Sequence, residues 1–231
     1  MYLMSRDSYD KLLRDNITKT YKTCSKNAKH VIDHEASVIA NKLGIAKRVE
    51  VCAEKKAYYT LKDHKPEFPN KPSCRLINPA KSEIGLMSKR ILERINSEVR
   101  TTTELPQWRN THSVIDWFKN LPSRQGVSFI KFDIVEFYPS ISEELLHKAI
   151  NFAKLHTTIS SQDIEIIWHA RKSLLFDNTS TWSKKEGGEF DVTMGSYDGA
   201  EVCELVGLYV LEQLSKKFDK RSIGPYSRSW L

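Results

Sequence analysis

Residues 129–141, FIKFDIVEFYPSI, decide how this chain is read. The stretch alternates like a strand, reaches an aspartate, and then runs into Phe-Tyr-Pro-Ser. Alternation over residues 129–134 puts Phe129, Lys131 and Asp133 on one face and Ile130, Phe132 and Ile134 on the other. The Ile/Phe face is expected to pack on helices. Asp133 then stands on the opposite face, at the strand's end and beside a helix start. Burying an unpaired carboxylate is expensive. Asp133 is therefore either solvated before a turn or holds something positive. A divalent ion suits the second reading, because Mg²⁺ is commonly held by one or two carboxylates plus substrate phosphates.

Helical and strand signals surround this stretch. Downstream, SEELLHKAINFAKLH reads as an amphipathic helix capped by Ser142, with Glu143 and Glu144 where the helix dipole favours anions. SSQDIEIIWHARKSLLF opens with a capping box from Ser160 to Asp163. LLFDNTSTW reads as a hairpin turning at Asp177, Asn178 and Thr179. GAEVCELVGLYVLEQLSKKF is a long apolar helix entered through MGSYDG. Upstream, residues 1–50 read as helical, with apolar positions at Val31, Ile32, Val38, Ile39 and Leu43 and a C-cap at Gly44. Tyr58, Tyr59 and Thr60 favour a strand, Pro66, Pro69 and Pro72 force a loop, and CRLIN returns as a second strand. MSKRILERINSEVR is helical, and SVIDWFKNL is a short helix capped by Ser113. Trp108, Trp117 and Trp168 are expected to lie mostly in the core. Strands and helices interleave without a regular βαβ repeat, which favours an α+β fold over a doubly wound sheet.

The chain has 231 residues, 40% of them hydrophobic and 28% charged, enough for one large domain or two small ones. No apolar run approaches the length of a membrane span. The start, MYLMSRDSYDKLL, has no signal-peptide core. Cys24, Cys52, Cys74 and Cys203 are scattered without metal-binding spacing and read as reduced thiols. An intracellular protein, cytoplasmic or nuclear, with no membrane partner is expected. The net charge is +7, and it is unevenly spread. Residues 1–100 carry 21 Lys and Arg against 12 Asp and Glu, and the remainder carries 15 against 17. The first part suits a polyanion, and the second could host metal-binding carboxylates.

Two further stretches bear on chemistry. In LKDHKPEFPNKPSCRLIN, the side chains Lys62, His64, Lys65, Lys71 and Arg75 sit on or beside one strand–loop–strand. Lysine as a point charge and arginine as a planar fork can together hold a triphosphate. The same residues also fit a solvated basic hairpin. In DVTMGSYDGAEVCELVGLY, Gly195 and Gly199 flank a polar loop leading into a helix. Glycines let a backbone pass close to a ligand, and they also make ordinary turns. The spacing is neither that of a Walker loop nor that of a Rossmann turn.

Taken in order, the three stretches resemble a reverse transcriptase domain of a eukaryotic retroelement, Penelope-like in local wording. The resemblance runs from about Lys55 to Tyr226. It rests on KDHKP and CRLIN in the fingers, on FDIVEFYPSI with Asp133 and Tyr138 in the first palm motif, and on the hairpin LLFDNTSTWSKKEGG followed by MGS in the next. It implies a right-hand polymerase architecture: a helical segment over residues 1–50, fingers-like basic residues 51–125, and a partial palm over 126–231 without a thumb. It implies RNA-directed DNA polymerase chemistry with an RNA template, a DNA primer, a deoxynucleoside triphosphate and Mg²⁺. Asp133 and the carbonyl of Ile134 would hold the metal, with Asp133 catalytic. Tyr138 would close the sugar pocket, Lys62, Lys65 and Arg75 would bind the triphosphate, and Gly195 would let the template–nucleotide pair lie against the backbone.

Two departures follow. After its glycine the second palm motif reads SYDGAE instead of carrying Ser-Pro. Where the family carries Tyr-x-Asp-Asp, this chain has Tyr226 followed by Ser227, Arg228 and Ser229. Two metal ions about 3.5–4 Å apart need more than Asp133, and Arg228 would repel them. The expectation is a polymerase-derived chain that is inactive alone. The competing readings are a non-catalytic nucleic-acid-binding remnant and a plain α+β domain.

Overall fold

A computed structural model describes residues 3–25, 27–47, 55–68, 70, 72–79, 81–105, 107–108, 111–120, 133–177, 180–218 and 226–227. Helix α1 (Arg6–Thr20) starts where the Ser5 hydroxyl accepts from the Ser8 N–H, and buries Leu13 and Ile17, four apart on one face. It runs directly into strand β1 (Tyr21–Thr23). Helix α2 (Asn27–Lys42) ends as its glycine predicts: Gly44 takes φ +67°, and the Ile45 N–H reaches back to the Ala40 carbonyl at 2.9 Å. Its apolar stripe is only half used, since Ile32 and Ile39 are buried while Val31 and Val38 face outward.

Strands β2 (Tyr58–Leu61) and β3 (Cys74–Ile77) form the expected antiparallel hairpin, with Thr60 opposite Arg75. Helix α3 (Glu83–Thr103) is capped by Ser82 and buries Leu92, Ile95 and Val99. The two-residue strand β4 (Gln107–Trp108) precedes α4 (Thr111–Lys119). This helix begins two residues before Ser113, so Ser113 lies inside it and is not its cap. No residue of α4 is fully buried, and Trp117 is half-exposed, which corrects the expectation of a core position. Of the opening stretch, residues 129–132 lie outside the described residues. So do Cys52, Pro69, Lys71, Asn178, Thr179 and Arg228.

After a one-turn helix α5 (Phe137–Ser140), α6 (Glu143–Ala153) starts at the predicted Ser142 cap, whose hydroxyl accepts from the Leu145 N–H at 3.1 Å. Helix α7 (Ser161–His169) opens with the full Ser160–Asp163 capping box. Strands β5 (Leu175–Phe176) and β6 (Thr181–Lys184) pair antiparallel, and beyond β5 the Asp177 N–H donates to the Ser180 carbonyl at 3.1 Å. The chain then enters α8 (Gly199–Lys217), and β7 (Tyr226–Ser227) lies parallel to β4.

Among the described residues the architecture is α+β, with small, mostly antiparallel sheets. The largest has three strands in the order β1-β6-β5, so residues at the start of the chain form the edge of a sheet built by residues 175–184. The main core joins α3, α6 and α8, through Leu92, Ile95, Leu146, Ile150, Leu205 and Leu208. A second cluster unites Leu13, Ile17 and Tyr21 with Tyr59, Leu175 and Trp182, tying the N-terminal helix to both hairpins. No described helix is long and apolar enough to cross a membrane. Cys24, Cys74 and Cys203 are free.

Candidate functional site

Asp133 is exposed, and it and Ile134 lie outside any strand. Ile134 and Val135 are exposed as well. Glu136 takes a left-handed conformation, φ +50°, which turns the chain sharply into α5. Two side-chain contacts flank that turn. Lys19 of α1 reaches the Glu136 carboxylate at 3.4 Å, and Lys184 of β6 donates to the Pro139 carbonyl at 3.0 Å. Ile141, fully buried, anchors the far side. Tyr138 between them packs on the start of α8: a Cβ added to Gly199 would lie 3.2 Å from the Tyr138 ring.

The loop before α8 fits tightly against the residue that follows β3. The Asn78 N–H donates to the Met194 carbonyl at 2.8 Å. The Asn78 side-chain amide donates to the Ser173 hydroxyl at 3.2 Å and the Leu174 carbonyl at 3.0 Å. Gly195 takes φ +110°, and a Cβ there would lie 2.5 Å from the Asn78 carbonyl oxygen. The close backbone neighbour that this glycine admits is Asn78. Ser196 closes the loop by donating to the Thr193 carbonyl and accepting from the Gly199 N–H, each at 3.1 Å.

The basic hairpin stands on the other side of Asn78. Lys62 and Arg75 are half-buried, and Lys65 is exposed in the connecting loop. The Lys62 N–H continues the ladder to the Ser73 carbonyl at 2.8 Å, and the Lys65 N–H then turns back to the Lys62 carbonyl at 3.2 Å. Burial pushes the Cys74 thiol pKa up, opposed by the Lys62 ammonium nearby. Chain connectivity through Asn78 and packing through Tyr138 thus bring two of the predicted stretches onto one loop, residues 193–199. Asp133 makes no ion pair with Lys62 or Arg75, all three being described.

Buried charge surrounds that loop. Arg171, just after α7, pairs with Asp198 at the start of α8, both side chains about 1% exposed. The Tyr21 hydroxyl donates to Asp191 at 2.6 Å, and Lys184 sits 3.4 Å from the same carboxylate. Burial, and then the Asp191 charge, raises the Tyr21 phenol far above its ordinary range. Burial pulls the His169 imidazole pKa down, opposed by the Ile32 carbonyl that its Nε2 meets at 3.3 Å. Sequence reasoning passed over Tyr21, Asn78, Arg171, Lys184, Asp191 and Asp198. Asn78 had a local signal, as the polar residue closing CRLIN; the charged ones are recognisable only once their partners are folded against them.

Among the described residues no group of three or more His, Cys, Asp or Glu gathers to hold a metal. Asp133, exposed and beside the Ile134 carbonyl, fits one Mg²⁺ completed by water and substrate phosphate. Among the described residues it belongs to no cluster of carboxylates that could hold two ions, and Glu136, three residues on, is engaged with Lys19. No family model matches the chain, and neither a curated protein nor a solved structure matches it significantly.

Proposed function

We propose that the chain is a reverse-transcriptase-like fingers-and-palm unit that binds nucleic acid and nucleotide phosphate but does not polymerise by itself. The observation that supports this most is the meeting of the motif stretches around residues 193–199: Asn78, which follows the Arg75 strand, holds Met194 and Gly195, while Tyr138 lies against Gly199. In this reading Lys62, Lys65 and Arg75 hold the triphosphate, Tyr138 lines the sugar side, and Asp133 with the Ile134 carbonyl holds one Mg²⁺. The ligands are an RNA template, a DNA primer and a deoxynucleoside triphosphate, and the setting is cytoplasmic or nuclear. Ser227, Arg228 and Ser229 stand where the family has its Asp pair. Loss of one preorganised electrostatic element lowers rate by about 10²–10³, and loss of a metal-holding pair by at least as much.

The test is primer extension on an RNA template with the purified chain in Mg²⁺ or Mn²⁺, alongside titration of a labelled RNA–DNA duplex. Binding without extension is expected, with affinity reduced roughly tenfold in Lys62→Ala plus Arg75→Ala, the weight of about 1.4 kcal/mol. Template-directed product that vanishes in Asp133→Ala would show an active polymerase. Binding indifferent to the double substitution, or no binding, would leave a plain α+β domain.

A further inference from the structure

A cavity of about 120 Å³ lies between α2, the start of α3, the turn after α7 and residues 191–196. Four of its lining side chains, Asn78, Arg171, Asp191 and Thr193, are buried and keep polar atoms with no hydrogen-bond partner, Asp191 through its Oδ1. Arg171 gives Nη2 to Asp198, but its Nε and Nη1 have none. The Asn78 Oδ1 and the Thr193 Oγ1 have none either. Asn78 cannot resolve this by flipping its amide, because its Nδ2 donates to the Leu174 carbonyl, which only accepts. Whatever fills the cavity must therefore accept from Arg171 and donate to Asn78, and a second O–H can serve the Asp191 Oδ1. Buried polar groups left without partners are costly, so such a set marks a place where something belongs.

Two features favour an anion. The N-terminus of the long helix α3 lines the cavity through Ser82, Glu83 and Ile84, and the helix dipole is positive there. Arg171 presents its remaining N–H groups from a nearly fully buried position. The lining carboxylates limit the charge. Asp33 is paired with Lys29 at 3.9 Å, and Asp191 with Lys184 at 3.4 Å, while Glu83 sits on the helix N-terminus itself. Size is compatible with such a ligand, since one water takes roughly 10–15 Å³ of such space and the cavity holds several. That admits a tetrahedral oxyanion. Sulfate and carboxylates carry no O–H for Asn78, whereas phosphate near neutral pH does.

We propose that this cavity binds inorganic phosphate in a protonated form, oxygen atoms toward Arg171 and an O–H toward Asn78. The site is separate from the basic hairpin of the proposed polymerase reading and does not depend on that reading. It adjoins it through Asn78 and Thr193, so an occupied cavity stiffens the loop that carries Gly195.

Thermal unfolding and calorimetric titration of the whole chain with sodium phosphate test this, against sodium sulfate and sodium acetate at matched ionic strength. Phosphate is expected to bind saturably and raise the midpoint, with sulfate and acetate no better than chloride. Thr193→Val, nearly isosteric, should weaken phosphate about tenfold, the weight of one hydrogen bond to a charged group. Arg171→Lys keeps a cation beside Asp198 and should abolish the response while the chain still unfolds cooperatively. Equal responses to phosphate and sulfate, no response at all, or the same phosphate affinity in both variants would overturn the proposal and leave a cavity filled by water.

Discussion

Gly195 shows how much one side-chain position can decide. Its φ of +110° is open to glycine and strained for every other residue, and the Asn78 carbonyl stands 2.5 Å from where a Cβ would go. Gly195→Ala therefore combines backbone strain with a backbone clash that no rotamer relieves. A loss of about 2–4 kcal/mol is expected in urea unfolding. An alanine variant within 0.5 kcal/mol of the parent would mean that the loop moves freely off Asn78. Arg171 and Asp198 make the complementary case. Their attraction is set against the cost of taking both out of water, so the pair is weak evidence of net stability. Removing one partner is different. Asp198→Asn leaves a buried guanidinium uncompensated and should cost about 3–5 kcal/mol, whereas Arg171→Met with Asp198→Leu should cost much less than the two single changes combined. Additive losses in that double-mutant cycle would mean that the two side chains do not interact.

At the scale of elements, the parts legible in the sequence are those with local causes. The Ser160–Asp163 capping box, the Ser142 cap and the Gly44 terminus each lie within a few residues of what they determine, and each formed as expected. The β2–β3 hairpin was legible because Tyr58, Tyr59 and Thr60 and the three prolines stand side by side in the chain. Strand β1 was not legible: its three residues follow α1 without a break, and its partner β6 begins some 160 residues later. The β4–β7 pairing is hidden in the same way. The candidate site follows this rule too. Lys62, Arg75, Asp133 and Tyr138 stand out by type and spacing, while Asp191 and Asp198 stand out only by burial. The β1–β6 seam can be probed through Tyr21, whose hydroxyl reaches Asp191. Its phenol is held protonated, with a folded pKa above the unfolded value of about 10. The contribution is complete below pH 10 and is lost as pH rises past it, because the unfolded chain gives up the proton first. Tyr21→Phe should lower stability by about 1–3 kcal/mol at neutral pH, because the buried Asp191 Oδ2 loses its donor, and should remove part of the decline above pH 10. Parallel pH curves for the two proteins would show that Tyr21 ionises as freely folded as unfolded.

For the whole molecule, the uneven charge is the property that composition makes visible and the fold makes specific. The excess lies in residues 1–100, yet many of those cations are spent internally: Lys29 on Asp33, Lys42 on Glu165, Lys89 on Glu93 and Arg94 on Asp163. Lys62 and Lys65 form no ion pair among the described residues, and they sit at the end of β2 and in the loop that follows it. A polyanion bound there displaces counterions in proportion to the phosphates it neutralises, so log affinity falls linearly with log salt at roughly 0.9 per phosphate contact on a duplex. If both lysines touch phosphates, Lys62→Ala plus Lys65→Ala should flatten that line by about 2 while leaving affinity nearly indifferent to base sequence. A merely solvated hairpin would give the same slope in parent and variant. Titrating a labelled RNA–DNA duplex between low and physiological salt separates the two, because the slope counts contacts independently of how tight the binding is and does not require the chain to polymerise.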